Sequence, residues 1–200
     1  MVIVDELYEK LTYDGHKHFS LGSVKEIADQ VVTVNGLSKA YAMTGWRLGF
    51  ATGPRWVIEA MGRLQSQAVS HPSSISQRAA IEALTGPQDS VEMMRQAFQR
   101  RRDLVTSLLK DIPDISFTHP AGAFYVFFNV EAYLGRRMPS GKVVEASDEI
   151  CHMLLEEYGI ALVSGTSFGD ERYIRLSFAA SDDDIREGVA RLKKGLAALV

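Results

Sequence analysis

The sequence has 200 residues, of which 46% are hydrophobic and 24% are charged, a balance typical of a globular protein that excludes disorder, collagen and disulfide scaffolds. The 22 Lys and Arg residues against 25 Asp and Glu residues give a net charge of -3, which offers no positive surplus for a nucleic-acid backbone. No apolar stretch approaches the roughly 18 residues that a membrane helix needs. Together with a single cysteine, Cys151, these features predict a cytoplasmic protein with neither nucleic-acid nor membrane partners.

Short apolar runs that end in turn residues open the chain. They lie at residues 2–4, 31–34 and 48–51. Because continuous apolar runs are typical of strands covered on both faces, we expect these three to be buried central strands of an α/β sheet. Apolar spacing of three to four residues then predicts helices at 56–69, at 73–84, and in a long segment that Pro113 stops.

The pattern changes to an α+β unit after Pro113. It predicts strands at 115–118, 124–130, 160–163 and 173–178, a helix from Ser147 to Gly159, and a last helix capped by Ser181. The last helix carries a buried stripe of Ile185, Val189, Leu192 and Leu196. The chain is therefore expected to hold a partial large domain at residues 1–88, a connecting helix at 89–112 and a small carboxyl-terminal domain at 113–200.

The segment GLSKAYAMTGWRLG, residues 36–49, directly follows a predicted strand. A lysine in a turn at the end of a buried strand is partly desolvated, which favours the neutral amine that forms Schiff bases. Lys39 is that lysine. Arg47, eight residues later, is placed to present a guanidinium to a phosphate, and Ser38 offers a hydroxyl where Gly36 offers only its backbone.

This segment closely resembles the lysine signature of pyridoxal-phosphate-dependent aminotransferases of fold type I, and the surrounding sequence resembles aspartate aminotransferases. The resemblance implies an α/β protein of the PLP-dependent transferase fold type I, with a partial large α/β domain and a small α+β carboxyl-terminal domain. It implies pyridoxal 5'-phosphate as the cofactor. Lys39 is then the catalytic Schiff-base former, and Ser38, Lys39 and Arg47 are cofactor-binding residues.

An Asp-x-x-Tyr motif, Asp5 and Tyr8, stands about thirty residues before Lys39. A carboxylate at the end of a buried strand can keep a pyridine nitrogen protonated, which makes the cofactor ring an electron sink. A tyrosine three residues later can donate to the ring's phenolic oxygen. The family resemblance implies both roles, so Asp5 and Tyr8 are predicted to bind the cofactor.

Arg175 lies in the sequence YIRLSF, which resembles the family's strand whose arginine binds the substrate α-carboxylate. A bidentate guanidinium would fix that carboxylate and so orient the Cα–H bond. Strand alternation predicts that Arg175 points away from Ile174 and Leu176. No metal site is expected, because the loop of His16 and His18 has no cysteine or further histidine nearby.

The resemblance implies ping-pong transfer of an amino group, through a pyridoxal phosphate Schiff base, from an L-amino acid to a 2-oxo acid. Aspartate and 2-oxoglutarate are the expected pair. Two alternatives stay open, because fold and cofactor do not fix the reaction: a PLP-dependent β-lyase, and a non-catalytic ligand-sensing or interaction fragment.

The resemblance covers only the carboxyl-terminal half of a typical relative, so we expect a fragment of a longer protein. It would lack the phosphate cup that the first half of relatives supplies, and negligible activity is expected of the isolated chain. The full-length form is expected to be a homodimer. Residues 70–77 resemble the stretch that approaches the neighbouring subunit's site.

Overall fold

The computed structural model describes residues 1–200, which form two compact units, Met1–Arg95 and Gln96–Val200. The first unit contains β1 (Val2–Asp5), β2 (Val31–Gly36), β3 (Gly49–Thr52), α1 (Arg55–Ala68) and α2 (Ser74–Thr85). Helix α3 (Asp89–Leu109) contributes residues to both units. The second unit contains β4 (Ser116–Phe117), β5 (Tyr125–Asn129), α4 (Ser147–Tyr158), β6 (Val163–Ser164), β7 (Tyr173–Ser177) and α5 (Asp182–Ala197). All five predicted helices are confirmed, whereas the three-part domain division stays a prediction.

The sheet of the first unit has the strand order β1, β2, β3. β1 pairs with β2 in parallel, and β3 pairs with β2 antiparallel. The predicted central strand is confirmed for β2, whose Val31, Val32 and Thr33 are buried. Because β3 runs in the opposite direction, its amino end lies beside the carboxyl ends of β1 and β2. We call this side of the sheet, marked by Asp5, Gly36 and Gly49, the carboxyl edge.

Strands β1 and β3 are exposed, so the prediction that they are buried central strands is wrong. Ile3 in β1 is 73% exposed, and Phe50 in β3 is 48% exposed. Each of the two strands forms an edge of the sheet and pairs with β2 on one side. A run of apolar residues predicts that a strand forms, whereas the burial of that strand depends on which neighbouring elements cover it.

The first two helices also leave apolar side chains uncovered. α1 has no buried residue and exposes Trp56 and Leu64, while α2 buries Ser76 and Ala80. The amphipathic spacing therefore predicted the positions of these helices correctly, but it does not determine which part of the protein covers their apolar side chains. None of the chain's helices is both long and apolar enough to cross a membrane.

The core of the second unit lies between its sheet and two helices. The sheet is antiparallel in the order β4, β5, β7, β6, and α4 packs on α5, β6 and β7. β5 and β7 each turn alternate residues inward, and α5 buries the stripe predicted for it; the buried residues are Val126, Phe128, Ile174, Leu176, Ile185, Val189, Leu192 and Leu196. Full burial of one such side chain contributes about 1.5–3 kcal/mol, so this layer accounts for the compactness of the unit.

The ends of α4 and α5 follow local chemistry. The Ser181 hydroxyl accepts a hydrogen bond from the Asp184 N–H at 3.1 Å, and Gly159 ends α4 with φ 64°, both as predicted. The strand predicted at 160–163 is instead Val163–Ser164. Ile160, the first residue of the predicted strand, does not join the sheet because its N–H donates to the Leu154 carbonyl at the end of α4.

Candidate active site

The end of β1 places Asp5 at the carboxyl edge of the first sheet. Asp5 pairs with Val34 in the parallel register, and its exposed carboxylate accepts a hydrogen bond from the Leu7 N–H at 3.1 Å. This Asx turn ends the strand and begins the turn at residues 7–10. Tyr8 is half-buried within that turn, so one short segment presents both the predicted carboxylate and the predicted phenol.

Lys39 lies in a short turn that follows β2 at the same edge. The Tyr41 N–H donates to the Leu37 carbonyl at 3.2 Å, and the Ala42 N–H donates to the Lys39 carbonyl at 3.3 Å. Leu37 and Ala40 are 1% and 2% exposed, whereas Lys39 is half-buried. The two buried side chains therefore anchor the turn on either side of the lysine.

Two glycines meet where β2 pairs with the start of β3. A Cβ atom on Gly36 would lie 3.0 Å from the Gly49 Cα and 3.0 Å from the Leu48 carbonyl oxygen. Because both neighbours are backbone, a side chain at position 36 requires the strand ends to move apart. Ser38, two residues after Gly36, carries a hydroxyl and is half-buried in the lysine turn.

Arg47 precedes β3 and has a left-handed backbone, with φ 52° and ψ 50°. For a residue with a Cβ this conformation costs about 1–2 kcal/mol. Its Nη1 donates to the Thr44 carbonyl at 2.9 Å, so the exposed guanidinium folds back over the 3-10 turn Thr44–Trp46. Residues held in such conformations concentrate at functional sites.

Asp5, Lys39 and Arg47 thus belong to three segments that meet at the carboxyl edge of one sheet. In open α/β sheets, ligands bind outside the carboxyl ends of the strands. A cavity of about 330 Å³ borders the lysine turn, but residues 41–43, not Lys39, line it there. Convergence of the three charged side chains on one cavity stays a prediction.

Arg175 lies in the middle of β7, in the second unit. It pairs with Phe127 on one side and Val163 on the other, and it alternates with the buried Ile174 and Leu176, so its side chain lies on the opposite face. Its approach to Lys39 stays a prediction.

Two aromatic rings flank the Arg175 guanidinium, which the sequence did not suggest. Its Cζ lies 4.4 Å from the Tyr125 ring centre and 4.5 Å from the Phe168 ring centre. Tyr125 is two residues from Phe127, the cross-strand partner of Arg175, and diagonal neighbours of this kind share a face. Tyr125 could therefore be identified as a neighbour of Arg175 only from the strand pairing. Phe168 could be identified as one only from the conformation of its loop.

The loop that carries Phe168 is closed by an ion pair. Arg172 Nη2 lies 2.7 Å from Asp170 Oδ2, and this guanidinium holds the pKa of the Asp170 carboxyl at about 2. The Asp170 N–H also donates to the Gly165 carbonyl at 3.0 Å. These contacts set the loop's path back into β7.

A second polar cluster lies beside the Asp5 turn. His18 Nε2 is 3.2 Å from the Glu6 carboxylate, and Glu9 is close to both. The expectation of no metal site near His16 and His18 rests on the lack of cysteines and further histidines in that loop. Two carboxylates, those of Glu6 and Glu9, become neighbours of His18 only when the turn after β1 forms.

Solved structures define the class of the fold. The chain is similar to the crystal structure of the aspartate aminotransferase from Rhizobium meliloti, with a TM-score of 0.93 and 43% identity, covering 99% of this chain and 50% of that one. It is also similar to an aromatic aminotransferase from Pyrococcus horikoshii, with a TM-score of 0.89 and 35% identity, covering 98% of this chain and 51% of that one. The fold is a partial PLP-dependent transferase fold type I, as predicted.

Sequence comparison identifies the family. The sequence model of the aminotransferase class I and II family matches residues 1–192, and the chain belongs to this family, whose members depend on pyridoxal phosphate. The aspartate aminotransferase of Rhizobium meliloti is 44% identical over 192 residues, which are 96% of this chain and 47% of that protein. The aspartate/prephenate aminotransferase of Cereibacter sphaeroides is 41% identical over 199 residues, 99% of this chain and 50% of that protein. The chain spans about half the length of the curated relatives it matches.

Proposed function

We propose that this chain supplies the carboxyl-half site of a pyridoxal-phosphate-dependent aminotransferase. The observation that carries the proposal is the meeting of the Asp5, Lys39 and Arg47 segments at one sheet edge, in a chain that belongs to an aminotransferase family. The amino donor is taken to be aspartate, because similar proteins are named aspartate or aspartate/prephenate aminotransferase. The proposed acceptor is a 2-oxo acid, 2-oxoglutarate in the first place.

The polar groups at the carboxyl edge fit the cofactor by their chemistry. Asp5 is proposed to pair with the ring nitrogen, Tyr8 to donate to the phenolic oxygen, and Arg47 and Ser38 to bind the phosphate. Pyridoxal phosphate, when bound, supplies an aldehyde carbon that exchanges amines and a ring that withdraws electrons from the substrate Cα. The exposed positions of Asp5 and Arg47 support this assignment, since both are accessible to a ligand.

Lys39 is the proposed catalytic residue. Its amine would bind the aldehyde carbon of the cofactor covalently between turnovers. During turnover the amine would carry the proton from the substrate Cα to that carbon. Arg175 is proposed to bind the α-carboxylate, with its guanidinium held in contact with the Tyr125 and Phe168 rings. A carboxylate held in a fixed plane orients the Cα–H bond for cleavage.

The 200-residue chain is proposed to be nearly inactive by itself, and the whole protein to be a homodimer. Only two side chains, Ser38 and Arg47, are assigned to the phosphate here, which supports weak cofactor binding. Both sheet edges of the first unit are exposed, and such edges favour nonspecific association. Residues 70–77 are the proposed approach to a second subunit, and Ile75 within them is 74% exposed. The cytoplasmic location stays a prediction.

Borohydride trapping tests the site assignment. The chain is incubated with pyridoxal phosphate, reduced, digested and mapped by mass spectrometry. The cofactor label is expected on Lys39, lost in Lys39→Ala, and retained in the matched controls Lys17→Ala and Lys25→Ala. A label on Lys17 or Lys25 instead of Lys39 would contradict the assignment. Steady aspartate and 2-oxoglutarate turnover by the isolated chain, abolished by Lys39→Ala, would instead show that the proposed inactivity is wrong.

A further inference from the structure

Glu6, Glu9 and His18 form a cluster of ligand atoms beside β1. One carboxylate oxygen from each glutamate and one imidazole nitrogen all lie within 4.8 Å of one another. Glu6 directly follows β1, Glu9 lies in the turn at residues 7–10, and His18 comes from the loop beyond that turn. The fold thus brings together side chains that are up to twelve positions apart in the sequence.

The Glu6 carboxylate of this cluster is buried and has one oxygen without a hydrogen-bond partner. It is 3% exposed, and its Oε2 lies 3.2 Å from His18 Nε2. Its other oxygen, Oε1, is buried without any hydrogen-bond partner. A buried polar atom is almost always paired, since an unpaired one costs about 1–3 kcal/mol and a charged one more. The cluster therefore contains a buried acceptor that a further group should satisfy.

We propose that the Glu6 and Glu9 carboxylates and the His18 imidazole bind a divalent transition-metal ion, with zinc as the preferred ion. Carboxylate oxygen and imidazole nitrogen are both ligands that zinc accepts, and three protein ligands leave a fourth position for water. Zinc bonds of about 2.0–2.1 Å in a tetrahedron separate neighbouring ligand atoms by about 3.3–3.4 Å. The Glu6–His18 separation of 3.2 Å is close to that spacing.

Charge supports a cation at this point. Two carboxylates around a neutral imidazole match the charge of a divalent ion. Lys10 is a cation near them: its Nζ lies 3.6 Å from Glu9 Oε1, and its side chain is 48% exposed. Such a surface ion pair is worth at most about 1 kcal/mol, so it does not compete strongly with a metal ion.

The site would tie the turn that presents Asp5 and Tyr8 to the loop of His18. Its effect would be to hold that turn in one conformation, because a bound ion adds metal–ligand bonds to the Glu6–His18 contact between the two segments. Binding of the ion would require neither the cofactor nor the proposed reaction.

Zinc titration of the EDTA-treated chain tests the proposal, without pyridoxal phosphate. Calorimetry is expected to give about one zinc ion per chain, and Glu6→Gln and His18→Asn should each weaken binding at least about 100-fold. The matched control His16→Asn changes the other histidine of the loop and should bind as tightly as the original chain. Lys10→Ala should bind zinc at least as tightly, because it removes a competing cation.

Cobalt provides a second readout. A tetrahedral cobalt ion at these ligands gives visible absorption, which His18→Asn should abolish and His16→Asn should leave. If circular dichroism shows that Glu6→Gln is unfolded, Glu9→Gln and His18→Asn, changed at less buried positions, decide the question. Absence of zinc binding, or binding unaffected by either of these variants, would overturn the proposal and leave the Glu6–His18 contact as a hydrogen-bonded pair.

Discussion

Gly165 is the position where a single added methyl group should most disturb the second unit. It is buried at the start of the 3-10 turn Gly165–Phe168. A Cβ atom there would overlap the Asp170 carbonyl oxygen and would lie 2.5 Å from the Tyr173 carbonyl oxygen. Both obstacles are backbone atoms, so Gly165→Ala cannot be accommodated by rotating a side chain.

The size of the effect follows from these contacts. Ordinary van der Waals contact begins near 3.4 Å, so the turn must move away from the start of β7 by about 1 Å. Overpacking of this kind costs about 1–3 kcal/mol. Loss of the hydrogen bond from the Asp170 N–H to the Gly165 carbonyl adds about 1 kcal/mol. We expect Gly165→Ala to lower the free energy of unfolding by about 2–4 kcal/mol and to draw Phe168 away from Arg175.

Urea unfolding followed by circular dichroism measures this loss. With an m-value of about 2 kcal/mol/M, within the range usual for urea, the midpoint should fall by about 1–2 M. The matched control is Gly188→Ala in α5, where a Cβ meets nothing within 4 Å and helix propensity should stabilise the chain by up to about 1 kcal/mol. Nuclear magnetic resonance should also show that the Arg175 side chain loses its ring-current shifts. An unchanged midpoint with unchanged Arg175 shifts would refute the steric reasoning.

Three further predictions concern the same unit. Gly195→Ala should lower the free energy of unfolding by about 1–2 kcal/mol, because the overlap of its Cβ with a packed leucine of α4 outweighs the propensity gained; a stabilised variant in urea unfolding would contradict this. Cys151 should react with a thiol reagent at pH 8 at least about a hundredfold more slowly in the folded than in the unfolded chain, because burial raises its pKa from 9.0 to about 12; equal rates would show that the thiol is accessible. Arg172 lowers the pKa of Asp170 from 3.8 to about 2, so the stability this pair provides should be complete above about pH 5 and should be lost as the pH falls toward 2. Asp170→Asn should flatten this part of the curve of melting temperature against pH, whereas parallel curves would exclude the linkage.

Local patterns were sufficient wherever the physical cause is local. The stripe of α5 and its Ser181 cap depend on residues within a few positions of one another, so spacing and hydrogen-bonding chemistry predicted them correctly. The lysine segment was found because its residues are contiguous. The apolar pattern predicts a strand at Ile160, which is wrong. The Ile160 N–H donates instead to the Leu154 carbonyl at the end of α4, and residue spacing does not reveal this contact.

The sequence by itself thus determined the family resemblance, the helices, and the candidate residues Asp5, Tyr8, Ser38, Lys39, Arg47 and Arg175. Only the tertiary structure decided that β1 and β3 are exposed edges, since burial depends on neighbours distant in the chain. Likewise, strand pairing and loop closure placed Tyr125 and Phe168 around Arg175, and the turn after β1 brought Glu6 to His18. The physical reason is the same in each case: these contacts join residues whose separation along the chain carries no periodic signal.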